Sequence, residues 1–184
     1  MGSPTAIPAA TNGRYVMVQL SGTNALSLAE VQVFRSADLA LDGTATQSST
    51  YGDTNITPSA NLAIDGNTDG VFNDGSVTHT NSELNAWWQV DLGTVQPLSS
   101  IGAWNRSDPA ASSRTTDYWV FVSAVPFDHS LTPTQQAAKT GVWSSHQTGT
   151  MGSPTAIPAA TNGRYVMVQL TGTNVLSLAE VQVS

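Results

Sequence analysis

The 184 residues suffice for one domain of ordinary size with its own hydrophobic core and about thirty residues over. Only 10% are charged, so neutral Ser, Thr, Asn, Gln and Gly must cover the surface, a composition suited to an exported β-sandwich. The formal charge of -7 argues against nucleic acid and against a polybasic grip on anionic lipid, and the lack of cysteine removes disulfide staples and thiolate chemistry.

Residues 1–33 recur as 151–183 with two changes, Ser21 to Thr171 and Ala25 to Val175, so one unit repeats every 150 residues. That period is too long for a solenoid and points to whole domains in tandem. A complete domain can be drawn as residues 35–184, or as 1–150 in permuted order. The first choice gives a natural opening strand at 39–49 and brings the termini of the domain together. Residues 1–34 are then a spare copy that dangles, swaps into a neighbouring molecule or forms a partial sheet.

Further along, 87–92 (Trp-Trp-Gln-Val-Asp-Leu) and 99–104 (Ser-Ser-Ile-Gly-Ala-Trp) read as strands between Gly, Pro, Asn and Asp clusters. Clear alternation follows at 118–123, 165–170 and 179–183. Residues 133–139 can make one short helical turn, and no segment carries a sustained helical stripe. The expected fold is all-β, an eight-stranded jelly-roll β-sandwich. No run of eighteen apolar residues suggests membrane insertion, and residues 1–5 lack a basic n-region.

Six cationic residues make up the whole supply, and Arg106 and Arg114 fall in one loop with Asp108 between them. A carboxylate there can orient a guanidinium into a rigid donor fork, which suits a ligand with adjacent hydroxyls. An ordinary loop ion pair would look the same. The set His79, Arg106-Ser107-Asp108 and Arg114 resembles the fucose-binding motif of the F-type lectins, or fucolectins. The similarity runs from about residue 40 to 183. Trp87-Trp88-Gln89-Val90-Asp91-Leu92 and Gly163-Arg164-Tyr165-Val166 are elements common to the wider discoidin-like, F5/8 type C-like superfamily.

That resemblance implies that His79, Arg106 and Arg114 hydrogen-bond the ring oxygen and hydroxyls of L-fucose while Asp108 holds the arginines. Five residues separate Asp108 from Arg114 where the family has four, so the reach of Arg114 is a question for the fold. Pro109 occupies the stretch where many animal members stack the sugar on a disulfide. It is a candidate apolar platform, with Tyr51, Phe72 and Trp104 as further candidates for contact with the C6 methyl group. The resemblance also implies a structural calcium ion. Asp65 and Glu180 would give side chains, Ser76 a hydroxyl and carbonyl, and Leu62, Asn67 and Ala179 carbonyls; otherwise Asp65-Gly66-Asn67 is a tight turn.

Nothing pairs Asp69, Asp74, Glu83 or Asp91 across a cleft as a glycosidase requires, and His129 and His146 read as surface residues, so an enzyme is not expected. Asn105-Arg106-Ser107 is a glycosylation sequon whose glycan would cover the site, which makes a bacterial source the easier one. The expected protein is a secreted or extracellular, calcium-containing, non-catalytic lectin for L-fucose and fucosylated glycans, strengthened by an array, a homo-oligomer or a strand-swapped assembly. The alternatives are a discoidin-like adhesion module and a galactose-type carbohydrate-binding module of a larger secreted protein.

Overall fold

Residues that alternate in the sequence become paired strands in the computed structural model, which describes residues 15–31, 38–52, 55–109 and 111–184. These belong to two units, Met1–Arg35 and Ser36–Ser184. In the first, residues 15–31 form no helix or strand, and their Tyr15, Val16, Met17, Val18 and Leu20 are exposed.

In the second unit the strands are β1 (Thr44–Gln47), β2 (Glu83–Leu84), β3 (Trp87–Asn105), β4 (Thr116–Ser123), β5 (Val142–Thr150), β6 (Thr155–Leu170), β7 (Thr173–Asn174) and β8 (Leu178–Val183). Among the described residues the single α-helix, α1 (Pro133–Ala137), begins at Thr132 with a capping box, the local chemistry expected of a short turn of this kind. One sheet runs β1-β3-β6-β4-β5 with β8 added on β3, and β2 and β7 form a separate pair. Every pairing is antiparallel.

Two strands expected at 87–92 and 99–104 are one strand of 19 residues. Its pairing with β6 breaks between Asp91 and Gln96 and again between Leu98 and Ser100, without reversing direction. Pro97, which cannot donate to a ladder, sits between those two irregularities. The first half of β3 therefore pairs with β1 and the second half with β8. Trp88 and Val90 from the first half, Ile101 and Ala103 from the second, and Leu178 and Val181 of β8 enter one buried cluster. Trp88 is anchored there through its indole N–H, which donates to the Ala60 carbonyl at 2.9 Å. The opposite face of β4 and β6 carries a smaller cluster of Phe121, Phe127, Tyr165 and Met167.

The C-terminal copy of the repeat supplies β6, β7 and β8. Its last strand closes against the start of the unit: the Leu39 amide donates to the Val183 carbonyl at 2.7 Å, and the Val183 amide donates to Asp38 Oδ1 at 2.9 Å. The opening strand is shorter than 39–49, because the chain first turns at Ala40, whose carbonyl accepts from the Gly43 amide at 2.9 Å.

Candidate functional site

Arg106 directly follows the last residue of β3, and that residue locks the loop. Asn105 is 4% exposed, and its side-chain amide donates to the carbonyls of Ser112 at 2.7 Å and Met151 at 2.9 Å. The sequon asparagine is thus occupied within the fold. On the other side, the Ser107 amide donates to the Gly70 carbonyl at 2.8 Å. A Cβ on Gly70 would lie 2.8 Å from Ser107 N and 2.9 Å from Asn105 O, so only glycine lets these two loops lie this close. Gly70→Ala is expected to cost about 1–3 kcal/mol, read as a lower thermal transition.

Asp108 Oδ2 accepts Arg106 Nε at 2.6 Å and the Phe72 amide at 3.0 Å. Partial burial works to raise the Asp108 pKa, but the Phe72 amide and the Arg106 guanidinium outweigh it and hold the carboxyl below its usual range. The guanidinium carbon stands 4.4 Å from the centroid of the Phe72 ring, a cation–π contact. With Nε engaged, the terminal amino groups of Arg106 are its donors for a ligand.

Five residues between Asp108 and Arg114 do not put Arg114 out of reach. The amides of Ala111 and Ser112 both donate to the Asp108 carbonyl, and a 3-10 turn at Ser112–Arg114 absorbs the extra length. The Arg114 carbonyl accepts from the side-chain amide of Asn174 at 3.1 Å.

His79 is 6% exposed, with its ring 4.7 Å from that of Tyr51 and 5.2 Å from that of Phe72. Its Nδ1 lies 2.7 Å from the Thr80 carbonyl, which can only accept, so Nδ1 carries the proton and Nε2 of the neutral ring is an acceptor. Burial lowers the His79 pKa; the Thr80 carbonyl opposes that, and the charges of Arg106 and Arg114 reinforce it.

These groups line a cavity of about 590 Å³ together with Tyr51, Phe72, Asn81, Ser82, Asn174 and Val175. Of the residues singled out in the sequence, His79, Arg106, Arg114, Tyr51 and Phe72 share this cavity, and Asp108 stands behind Arg106. Pro109 is not among the lining residues, and Trp104 packs beside Phe72, Val77 and Ala179. Asn81, Ser82, Asn174 and Val175 were not singled out. The pairing of β2 with β7 brings their two segments together, and two-residue strands leave no periodic signal.

At the other set of residues, Glu180 is fully buried, and its Oε1 accepts from the Gly66 amide at 3.1 Å. Asn67 N donates to Asp65 Oδ1 at 2.8 Å, and the Ser76 hydroxyl donates to the Asp69 carbonyl at 2.7 Å. Leu62 lies in the 3-10 turn Ala60–Ala63, which packs against β8, and Ala179 precedes Glu180 in that strand. Burial first, then the negative charges of Asp38 and Asp65, push the Glu180 pKa up to about 8. Glu180 Oε2 and Asp38 Oδ2 are buried with no hydrogen-bond partner. Among the described residues no three acidic, His or Cys side chains gather as a metal group. A cation here would be held largely by backbone and hydroxyl oxygens. The oxygen-only donor set with an unpartnered buried carboxylate oxygen fits a hard divalent ion.

Other acids have local partners. Glu83 accepts from the hydroxyls of Ser48 and Ser49, Asp91 is paired with Arg164, and Asp117 with His146. His129 and His146 lie flat on Trp87 and Trp119, with ring centroids 3.7 and 4.2 Å apart.

An antiparallel sandwich with a basic, aromatic-rimmed cleft among its loops defines a discoidin-like binding module. Residues 62–168 match the F5/F8 type C family described as "NedA-like, galactose-binding domain". A fucolectin of Anguilla anguilla is 31% identical over 159 residues, 82% of this chain and 92% of the eel protein. The solved lectin domain of lectinolysin, complexed with Lewis B antigen, superposes with a TM-score of 0.67 at 34% identity, over 82% of this chain and 98% of that one. A Streptococcus pneumoniae fucose binding module gives a TM-score of 0.65 at 31% identity, over 80% and 94%. The chain belongs to the F-type lectin family, within the F5/8 type C-like superfamily.

Proposed function

We propose that this protein is a non-catalytic, extracellular lectin that binds L-fucose and fucosylated glycans. One observation carries the reading: His79, Arg106 and Arg114 line a single cavity of about 590 Å³, with Asp108 fixing the first arginine from behind. The two guanidinium groups donate to oxygens of one sugar ring, and His79 Nε2 accepts a hydrogen bond from a third hydroxyl. The edges of Tyr51 and Phe72 shield the C6 methyl group. Asn81, Ser82 and Asn174 form a polar rim for the sugar to which fucose is linked. One monosaccharide held this way contributes about -4 to -6 kcal/mol, so useful strength comes from presenting several sites together.

The calcium reading belongs to the same proposal. Asp65 and Glu180 would offer carboxylates, Ser76 its hydroxyl and carbonyl, and Leu62, Asn67 and Ala179 carbonyls. Bound there, the ion supplies the positive charge that Glu180 otherwise lacks. The residues themselves tie the 62–76 segment to β8, and that segment carries Gly70 and Phe72 beneath Arg106 and Asp108.

A second reading, a galactose-type module, is favoured by the wording of the matched family. Calorimetric titration with L-fucose and D-galactose separates the two: L-fucose is expected to bind and D-galactose to bind at least about tenfold more weakly, a difference of about 1.4 kcal/mol. The reverse order rejects the fucose assignment. The same titration across pH checks His79. Since burial lowers its pKa from the ordinary imidazole value, affinity is expected to stay level at neutral pH and to fall only as pH drops through that lowered pKa. Protonation there would remove the acceptor and place a third cation beside the two arginines. Affinity that rises on acidification would remove His79 as an acceptor.

A further inference from the structure

The apolar side chains with which the 151–183 copy fills the sandwich have exposed twins in the other copy. Tyr165 is 8% exposed and Val166, Met167, Val168 and Leu170 are buried, whereas Tyr15 is 82% exposed and Val16, Met17, Val18 and Leu20 are open to solvent. Leu176, Leu178 and Val181 are buried, whereas Leu26, Leu28 and Val31 are exposed. A contiguous apolar segment of this kind calls for a docking place. The slot that fits it by sequence is the one its twin occupies.

Connectivity permits the exchange. Val183 ends its strand in hydrogen bonds with Asp38 and Leu39, at 2.9 and 2.7 Å. Val33 seated in the same position would join Asp38 through residues 34–37 alone, and a chain spans about 3.3–3.6 Å per residue, more than enough for neighbouring positions. We propose that residues 1–33 exchange with 151–183 in their own sandwich, and that the exchange changes a wall of the sugar site. Of the two positions at which the copies differ, Thr171 lies in an exposed turn, but Val175 lines the cavity with Arg114. The first copy delivers Ala25 to that place.

Asn174, which holds the Arg114 carbonyl, and Glu180 recur as Asn24 and Glu30. The scaffold of the site therefore survives exchange while its wall loses two methyl groups. Position 25/175 is a specificity determinant, and the alanine form admits a bulkier substituent next to the bound sugar. This last step rests on the proposed sugar site; the exchange itself does not.

The test uses the full chain. Val168 is wholly buried, so Val168→Asp disables the C-terminal copy, and Val18→Asp disables the other. Each single variant is expected to keep a cooperative thermal transition and native near-ultraviolet circular dichroism, and the double variant to lose both. A V168D chain that unfolds as fully as the double variant overturns the exchange, as does one that folds only as a dimer in light scattering. For the wall, L-fucose and a branched fucosylated oligosaccharide are titrated into V168D, V18D and V168D/A25V. The first two are expected to differ severalfold in their preference for the branched ligand, and A25V to restore the V18D value. Equal preference in all three removes position 25/175 as a determinant. Folded V168D together with an unmodified chain that ignores L-fucose would reject the sugar reading and leave the exchange standing.

Discussion

Arg106→Ala is expected to take L-fucose binding below calorimetric detection while lowering the thermal transition by only a few degrees. The side chain is 13% exposed and fixed by Asp108 at 2.6 Å, so its donors are held in place before the ligand arrives. Charge-assisted hydrogen bonds contribute about 1.5–3 kcal/mol each, and two of them make up most of what one monosaccharide can gain. Stability is less exposed to the change, because Asp108 keeps the Phe72 amide at 3.0 Å. What is lost is the contact with the Phe72 ring and one partly buried ion pair, about 1–2 kcal/mol together. Arg106→Lys keeps the charge but not the fork and is expected to bind at least about tenfold more weakly. Arg164→Ala, which breaks the bidentate pair with Asp91 at 2.6 and 2.8 Å, serves as the control and leaves affinity unchanged. Undiminished fucose affinity in Arg106→Ala would end the assignment of this cleft.

The parts of the fold legible in the sequence were those where one strand face is buried and the other is not. Alternation at 118–123 separates Val120 and Val122, which enter the main core, from Phe121, which enters the smaller one. β5 escaped notice because no residue of that edge strand is fully buried, so burial imposed no period on it. Gly93 and Pro97 read as a break between two strands, yet irregular pairing with β6 carries one strand through both. At the site, Arg106, Asp108 and Arg114 stood out as charges sharing one loop in a chain so poor in cations, while His79, Tyr51 and Phe72 came only with the family resemblance. Asn81, Ser82, Asn174 and Val175 are small and sit in turns, where the same residues occur whether or not they line a cavity. Pro109 was a reasonable apolar platform by position. The turn that starts at Asp108 brings Arg114 to the cavity instead.

Removal of calcium is expected to lower the thermal transition, and to lower it more at about pH 8 than at about pH 5. Without the ion, Glu180 titrates near pH 8 when folded, against about 4.5 in the unfolded chain. A raised carboxyl pKa means that the folded state favours the proton. The stability from that proton is complete below about pH 4.5 and is lost progressively as pH rises towards 8, by an amount on the order of 5 kcal/mol. Calcium held at the proposed site would compete with the proton for the same carboxylate and restore what deprotonation removes, so its effect would grow with pH. Glu180→Gln keeps the side chain's shape and removes its charge. In chelator at about pH 8 it is expected to melt above the unmodified chain, and to gain nothing from added calcium. The loss should also reach the sugar site, because Gly66 is bonded to Glu180, while Gly70 and Phe72, four and six residues further on, support Ser107 and Asp108. A transition at pH 8 that is the same in calcium and in chelator would leave Glu180 as a buried acid and nothing more.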